Sequence, residues 1–497
     1  MRQRSRLLIT LLALVALVIP AFAQQEGAEE QGQRLLAEGR EYWREGKLKQ
    51  ALDNFNIVIS SFGDTEAVGD ALLEIGRYRM EVDGDEDGAR EAFVQVSRDH
   101  AQSAAAPGAY HYLGLLTLEG ATTPTELEDA LAQFSRVVTL YPQSILWVPR
   151  SLQASGMVHR RAGRYQEAVA LNRRVALEYP ASDAAPRAQY EAGHDLALLG
   201  EPRLAMEEFQ QVRNRFPESP WAAAALDRIT ALYRLYGAGE PVFTLDSSFS
   251  LPSGNALKDV EALLREPDGR LWVASRKTKS AVAFDPSGKI ETSFAAQDPR
   301  TLSFAPNGDV VFAAKTAVRI GKRDVRRFFF PPEKPGDERK PVEKIRAAAV
   351  TPGGAILVSD EKDDAIYRFD DHGVLLGTFP ERSPSDQEVT RIVVDEEGGI
   401  LLLDREAKTV RVCDESGRTL RTVGPGGLRK PADIAVDSVR NIYVADEDNG
   451  VLVFNVQGEL FVKIAGAELK KPKAITLEPS GAVLVYDDDS DRVLRYR

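Results

Sequence analysis

Apolar residues in the first half of this chain recur at helical spacing, whereas in the second half they fall into short runs separated by turns rich in Asp, Gly and Pro. In the first half one pattern repeats five times: a Gly, an Ala twelve to sixteen residues later, and a bulky residue four after that. The glycines are Gly39, Gly76, Gly114, Gly156 and Gly193, and the alanines are Ala51, Ala89, Ala130, Ala168 and Ala205. The residues four later are Phe55, Phe93, Phe134, Asn172 and Phe209, so the fourth unit departs. Tyr141-Pro142, Tyr179-Pro180 and Phe216-Pro217 close the last three units. This spacing predicts antiparallel helix pairs in which Gly or Ala allows close approach, the bulky side chain fills the groove, and Pro stops the second helix. One pair cannot bury its apolar face, so neighbours must stack. Trp221 to Tyr236 reads as a further amphipathic helix capping the stack, and Gly237-Ala238-Gly239-Glu240-Pro241 as a break between domains.

Beyond Pro241 six copies of a two-strand unit align, from Glu261 to Val273, Thr301 to Phe312, Arg346 to Val358, Arg391 to Leu402, Ile434 to Val444 and Ile475 to Val485. Their turns hold Gly269, Gly308, Gly354, Gly398, Arg440 and Gly481, spaced 39 to 46 residues apart, the period of a four-stranded propeller blade. A second turn recurs at Phe284 to Gly288, Phe369 to Gly373, Cys413 to Gly417 and Phe454 to Gly458. The second blade departs there and is followed by a Pro- and charge-rich insertion, Pro331 to Lys344, read as a surface loop. The sixth copy ends at Arg497 with no fourth strand, while Val242 to Phe249 has strand alternation and no blade of its own. That segment is predicted to supply the missing outer strand and close the ring.

The helical units resemble the tetratricopeptide repeat of about 34 residues, although the Ala-to-Ala spacings here are 38, 41, 38 and 37. The closing phrases at Tyr141, Tyr179 and Phe216 are similar to those of the variant in bacterial envelope proteins such as the Tol-Pal coordinator and outer-membrane assembly lipoproteins. In the second half, Pro431 to Phe454 resembles the NHL repeat, with the other copies as weaker versions. Together these resemblances imply a multidomain chain, an all-α solenoid over 24–237 and an all-β six-bladed propeller over 242–497, joined by a linker at 238–241. They imply binding of protein or peptide partners in an envelope complex.

Composition narrows the functions. Over 497 residues, 75 Asp and Glu stand against 63 Lys and Arg with no long basic run, which argues against a nucleic-acid partner. Arg2, Arg4 and Arg6 precede an uncharged stretch from Leu7 to Ala23 that ends in Ala21-Phe22-Ala23, the build of a secretory signal over residues 1–23. Cleavage or retention as an anchor are both open, but the stretch, broken by Pro20, falls short of the roughly 20 residues needed to span a bilayer. The expectation is an exported periplasmic or extracellular protein whose mature chain has no membrane span. Cys413 is the only cysteine, so no internal disulfide forms; its place in the Phe284, Phe369 and Phe454 position marks it as a packed core thiol.

Catalytic chemistry is sparse. Four of five histidines, His100, His111, His159 and His194, lie in the helical half and His372 in a turn, so no His-rich propeller channel exists. A gluconolactonase-like hydrolase or lyase would draw its metal ligands from the starts of the innermost strands. Those positions hold Glu261, Arg300, Arg346, Thr390 or Arg391, Asp433 and Lys473, and their cations repel a divalent ion. As one channel rim they suit a carboxylate or acidic peptide; the alternative is solvated charges at strand ends. Acidic loops at Asp360 to Asp364, Asp446 to Asn449 and Asp487 to Asp491 offer oxygen ligands for Ca²⁺ but lack the spaced pattern and Gly of an EF-hand loop; the resemblance to NHL repeats implies instead an Asp that braces the turn through backbone amides. The sequence therefore reads as a non-enzymatic adaptor or scaffold without a cofactor.

Overall fold

The computed structural model describes residues 27–121, 123–237, 243–251, 255–321, 324–331, 338–380 and 388–497. The signal segment 1–23 and the linker 238–241 lie outside the described residues. The described residues form eleven α-helices followed by a six-bladed β-propeller, and the chain divides into two compact units between residues 192 and 193.

In the first unit, α1 (residues 27–44), α2 (Leu48–Ser61), α3 (Ala67–Tyr78), α4 (Glu86–Asp99), α5 (Ala106–Gly120), α6 (Pro124–Leu140), α7 (Trp147–Arg161) and α8 (Tyr165–Glu178) stack as antiparallel pairs. The repeated glycines do what their spacing predicts. A Cβ on Gly39 or Gly114 would lie 2.5 Å from the ring of Phe55 or Phe134, and one on Gly76 would meet Phe93. The departing fourth unit keeps the geometry with a smaller partner, Gly156 facing the buried amide of Asn172 at 3.0 Å. Ala51, Ala89, Ala130 and Ala168 are fully buried at the same crossings. Thr123 caps α6 by a reciprocal pair of bonds with Glu126.

The second unit contains the end of α9 (Ala185–Leu198), then α10 (Pro202–Arg215), α11 (Pro220–Leu232) and the propeller strands β1–β23. Five blades have four strands and the sixth has three, each a meander in sequence order. The innermost strands are β1 (Val260–Arg265), β5 (Pro299–Phe304), β9 (Ile345–Val350), β13 (Val389–Val394), β17 (Pro431–Val436) and β21 (Pro472–Leu477). Each touches the next and β21 touches β1, so the ring is closed. The closure is the predicted one: Thr244 donates to the Arg497 carbonyl oxygen at 2.9 Å, Arg497 donates back at 3.0 Å, and Asp246 donates to Arg495 at 2.8 Å. Residues 244–246 thus run against β23 (Arg492–Tyr496), and Leu245 bridges Tyr496.

The turns between first and second strands need a left-handed residue, supplied by Gly at φ 77° to 91° in five blades and by Arg440 at φ 66° in the fifth. Arg440 also reaches the buried Asp395 of the fourth blade at 2.9 Å. The insertion after the second blade is more than a surface loop. Val342 donates to Phe328 at 2.9 Å, and both side chains are buried in the core shared by the second and third blades.

The helix expected to cap the stack packs against α10 and also against the propeller. Leu235 joins a core with Tyr443, Val451 and Val485, and Tyr236 stacks on Phe461 at 5.5 Å while donating to Asn441 Oδ1 at 2.9 Å. Arg228 meets Glu396 at 3.0 Å and His194 meets Glu397 at 2.8 Å. These contacts lie on the face built from the turns between first and second strands, in the fourth to sixth blades. Among the described residues, the opposite face, where the innermost strands begin, carries none of these helix contacts.

Candidate functional site

Charged and aromatic side chains gather at two places, the groove of the first unit and the propeller mouth on the face where the innermost strands begin.

The groove is lined by the first helices of successive pairs. Arg40 of α1, Asp70, Leu73, Glu74 and Arg77 of α3, Tyr112 of α5, and Trp147 and Arg150 of α7 enclose, with Ala104 and Leu146, about 460 Å³. The same helices carry the close Gly crossings onto their partners. The walls are aromatic, with Tyr112 and Trp147 edge to face at 5.6 Å. Arg77 lies 5.1 Å from the Trp43 ring and 5.9 Å from that of Tyr112, and Arg150 lies 5.1 Å from Trp147. Each arginine has a carboxylate: Glu74 receives Arg40 and Arg77, both at 2.7 Å, and Arg150 Nε donates to Asp183 at 3.2 Å. Behind the wall, His111 is buried beside Trp147 and 3.1 Å from Ser151 Oγ; burial, aided by Arg150, lowers its pKa to about 3 and keeps it neutral. The sequence reading did not single out these groove residues; an arginine near an aromatic in α1, α3 and α7 was the available signal.

At the propeller mouth the six residues grouped from sequence separate into two levels. Every innermost strand has a bulge after its first residue. Glu261, Arg300, Arg346 and Lys473 occupy the bulged position, where the fourth and fifth blades carry Thr390 and Ala432. Arg391 and Asp433 stand one residue further on, level with Ala262, Thr301, Ala347 and Ala474.

The outer level is charge-compensated. Lys473 meets Glu261 at 3.0 Å and Asp259 at 3.2 Å; burial opposes its charge, yet Glu261, Asp488 and Asp259 together raise its pKa. Arg300 meets Asp298 at 2.9 Å and Glu361 at 3.5 Å, and Arg346 meets Asp364 at 2.8 Å. The basic lean read from strand starts is thus offset by carboxylates from neighbouring loops.

The inner level carries a bridge between blades. Arg391 Nε donates to Asp433 Oδ1 at 2.8 Å, Nη1 to the Thr390 carbonyl at 2.9 Å, and Nη2 to the Glu261 carbonyl at 2.6 Å. Glu261 belongs to the first blade and Arg391 to the fourth, so the guanidinium crosses the ring. Asp433 also accepts from the Ile434 and Ile475 amides, both at 2.9 Å. Burial raises the pKa of its carboxyl, against the pull of Arg391 and these amides. Small residues at this level in the other four blades leave room for the arginine.

The acidic loops are braces. Asp446 accepts from the amides of Arg429, Lys430, Asp448 and Asn449, and Asp487 from those of Lys470, Lys471 and Ser490. Cys413 is buried in a core cluster with Ile400 and Leu402, as its position predicted. Among the described residues, the His, Cys, Asp and Glu group with metal-ligand spacing is Asp370, Asp371 and His372, in a turn remote from the channel. No described helix is long and apolar enough to cross a membrane.

No family model matches the chain, and no curated protein matches it. Among solved structures it is similar to a streptogramin B lyase, at 12% identity and a TM-score of 0.39 over 51% of this chain and 97% of that one. It is also similar to virginiamycin B lyase from Staphylococcus aureus, at 16% identity and a TM-score of 0.38 over 50% of this chain and 82% of that one. A catalytically inactive form of that enzyme with quinupristin matches at 15% identity and a TM-score of 0.39, over 51% and 85%. The likeness is one of fold.

Proposed function

We propose that this chain is an exported, non-enzymatic adaptor of the cell envelope: a tetratricopeptide-type solenoid that holds a peptide segment of a protein partner, joined to an NHL-type propeller that serves as a second platform. The observation that carries this reading is the aromatic and arginine-lined groove across α1, α3, α5 and α7. Its volume of about 460 Å³ falls within the range of sites that take small ligands or a few side chains. Stacked helix pairs present such a concave face for extended or helical segments. The propeller supports the same reading: the Arg391 guanidinium reaches from the fourth blade to the first between the innermost strands, and a cation held there disfavours a divalent metal.

Site-specific photo-crosslinking in intact cells tests the proposal. A photoreactive residue at Tyr112 or Arg150 should give a discrete protein adduct, and one at exposed Leu177 should not. The competing reading, a propeller-channel hydrolase or lyase, predicts no groove adduct together with metal-dependent turnover of lactones or esters that Arg391→Met alters.

A further inference from the structure

Asp70 is the exception among the groove's charges. Arg40, Arg77 and Arg150 are each held by a carboxylate through at least one hydrogen bond, and Glu74 accepts from two guanidinium groups. Asp70 accepts no hydrogen bond from any described residue; its ion-pair contact is Arg40 Nη2 at 3.8 Å, while Nε of the same arginine is committed to Glu74. Its side chain is 18% exposed, so a ligand in the groove can reach the carboxylate. Burial raises its pKa, with Arg40 opposing and Glu74, Glu29 and Glu66 adding to the rise. The surroundings agree, since residues 27–99 hold seventeen acidic against nine basic residues. A carboxylate without a hydrogen-bond donor beside aromatic walls is complementary to a cation on an apolar chain.

We propose that the groove takes a basic peptide segment, a Lys or Arg whose cation bonds the Asp70 carboxylate while an adjacent apolar side chain packs on Tyr112 and Trp147. This rests on the groove being a peptide site and specifies its ligand. The alkyl stem of a lysine or arginine lies along Leu73 and the aromatic edges, and its charged head supplies the donors that Asp70 lacks.

The test uses the full mature chain and fluorescently labelled, end-blocked hexapeptides with a fixed Leu-Tyr pair followed by Lys, Gln or Glu, read by anisotropy. The Lys peptide should bind about tenfold more tightly than the Gln peptide, and the Glu peptide most weakly. Asp70→Asn should erase the difference between Lys and Gln peptides, whereas Trp147→Ala should weaken all three alike. Equal binding of the three peptides, or a Lys preference that survives Asp70→Asn, overturns the inference and leaves the groove a peptide site. Binding of none of the peptides overturns both.

Discussion

Arg391 in the fourth blade donates to the main-chain carbonyl oxygen of Glu261 in the first blade at 2.6 Å, tying opposite sides of the propeller ring together. The same guanidinium neutralises Asp433, whose side chain is 7% exposed. Arg391→Met would leave that carboxylate buried and unpaired, at a cost of about 3 kcal/mol. Hydrogen exchange should show faster opening of β13 and β17. Adding Asp433→Asn should recover part of the loss, with a coupling of about 2 kcal/mol in the double-mutant cycle. Additive losses would mean that the pair does not hold the ring.

How much of this was legible in the sequence depended on whether a feature keeps its register. The Gly-to-Phe crossings repeat at fixed spacing because one helix geometry recurs, so Gly114 and Phe134 could be paired from the sequence alone. The closing strand was legible for a similar reason, one strand missing at one end of a repeat and one spare at the other. Arg391 and Asp433 were grouped with Glu261, Arg300, Arg346 and Lys473 because all stand near strand starts. A one-residue step in a strand sends the side chain to the other face, and the bulge position fixes which residues share a level. The aromatic groove was missed because its members come from four helices far apart in sequence. The anchoring of Tyr236 on Asn441, 205 residues away, was hidden for the same reason.

Gly114→Ala should test the helix crossings. A methyl group 2.5 Å from the Phe134 ring cannot be accommodated without shifting α5 against α6, so a loss of about 2 to 3 kcal/mol is expected. Phe134→Leu in the same chain should recover stability by vacating the ring position. Gly156→Ala, facing an amide at 3.0 Å, should cost less. Thermal unfolding of the four proteins compares them directly, and equal losses at Gly114 and Gly156 would contradict the steric account.

Arg440 presents two opposed effects in one residue. Replacement by Gly relieves a left-handed backbone, worth about 1 kcal/mol, but removes the 2.9 Å partner of Asp395, whose side chain is 2% exposed. A buried carboxylate without its cation costs about 3 kcal/mol. Arg440→Gly should therefore destabilise the propeller in denaturant unfolding, although Gly fills this position in the other five blades. A stabilised variant would show that the Asp395 pair contributes little.

Ring closure should depend on the amide of Thr244. Thr244→Pro removes the donor to Arg497, and the backbone amides of Asp246 and Arg497 should then exchange at least about tenfold faster. Unchanged protection would rule out closure through this strand. The pH dependence has a defined sign. A hydrogen bond from Ser248, with help from Arg497 and Arg495 and against some burial, lowers the Asp246 pKa. Its contribution is present above the usual carboxylate range and is lost as pH falls through the depressed value, so closure should loosen in acid.

Asp437 should act in the opposite direction beneath the helical anchor. Its carboxylate accepts from the Val439 and Asn441 amides and from Asn441 Nδ2, and Asn441 in turn receives the Tyr236 hydroxyl. Tyr443 and the Arg228 and Arg234 side chains complete the charged and titratable surroundings. Burial outweighs these hydrogen bonds and raises the Asp437 pKa to about 6. The protonated form is therefore favoured by folding, and its stabilisation, complete below about pH 4, is lost as pH rises through about 6. The shift corresponds to about 3 kcal/mol between those limits. Denaturant unfolding followed at the Tyr236 anchor should show stability rising as pH is lowered from about 7 toward 5, and Asp437→Asn should remove that slope. A slope retained in the variant would place the titration at another group.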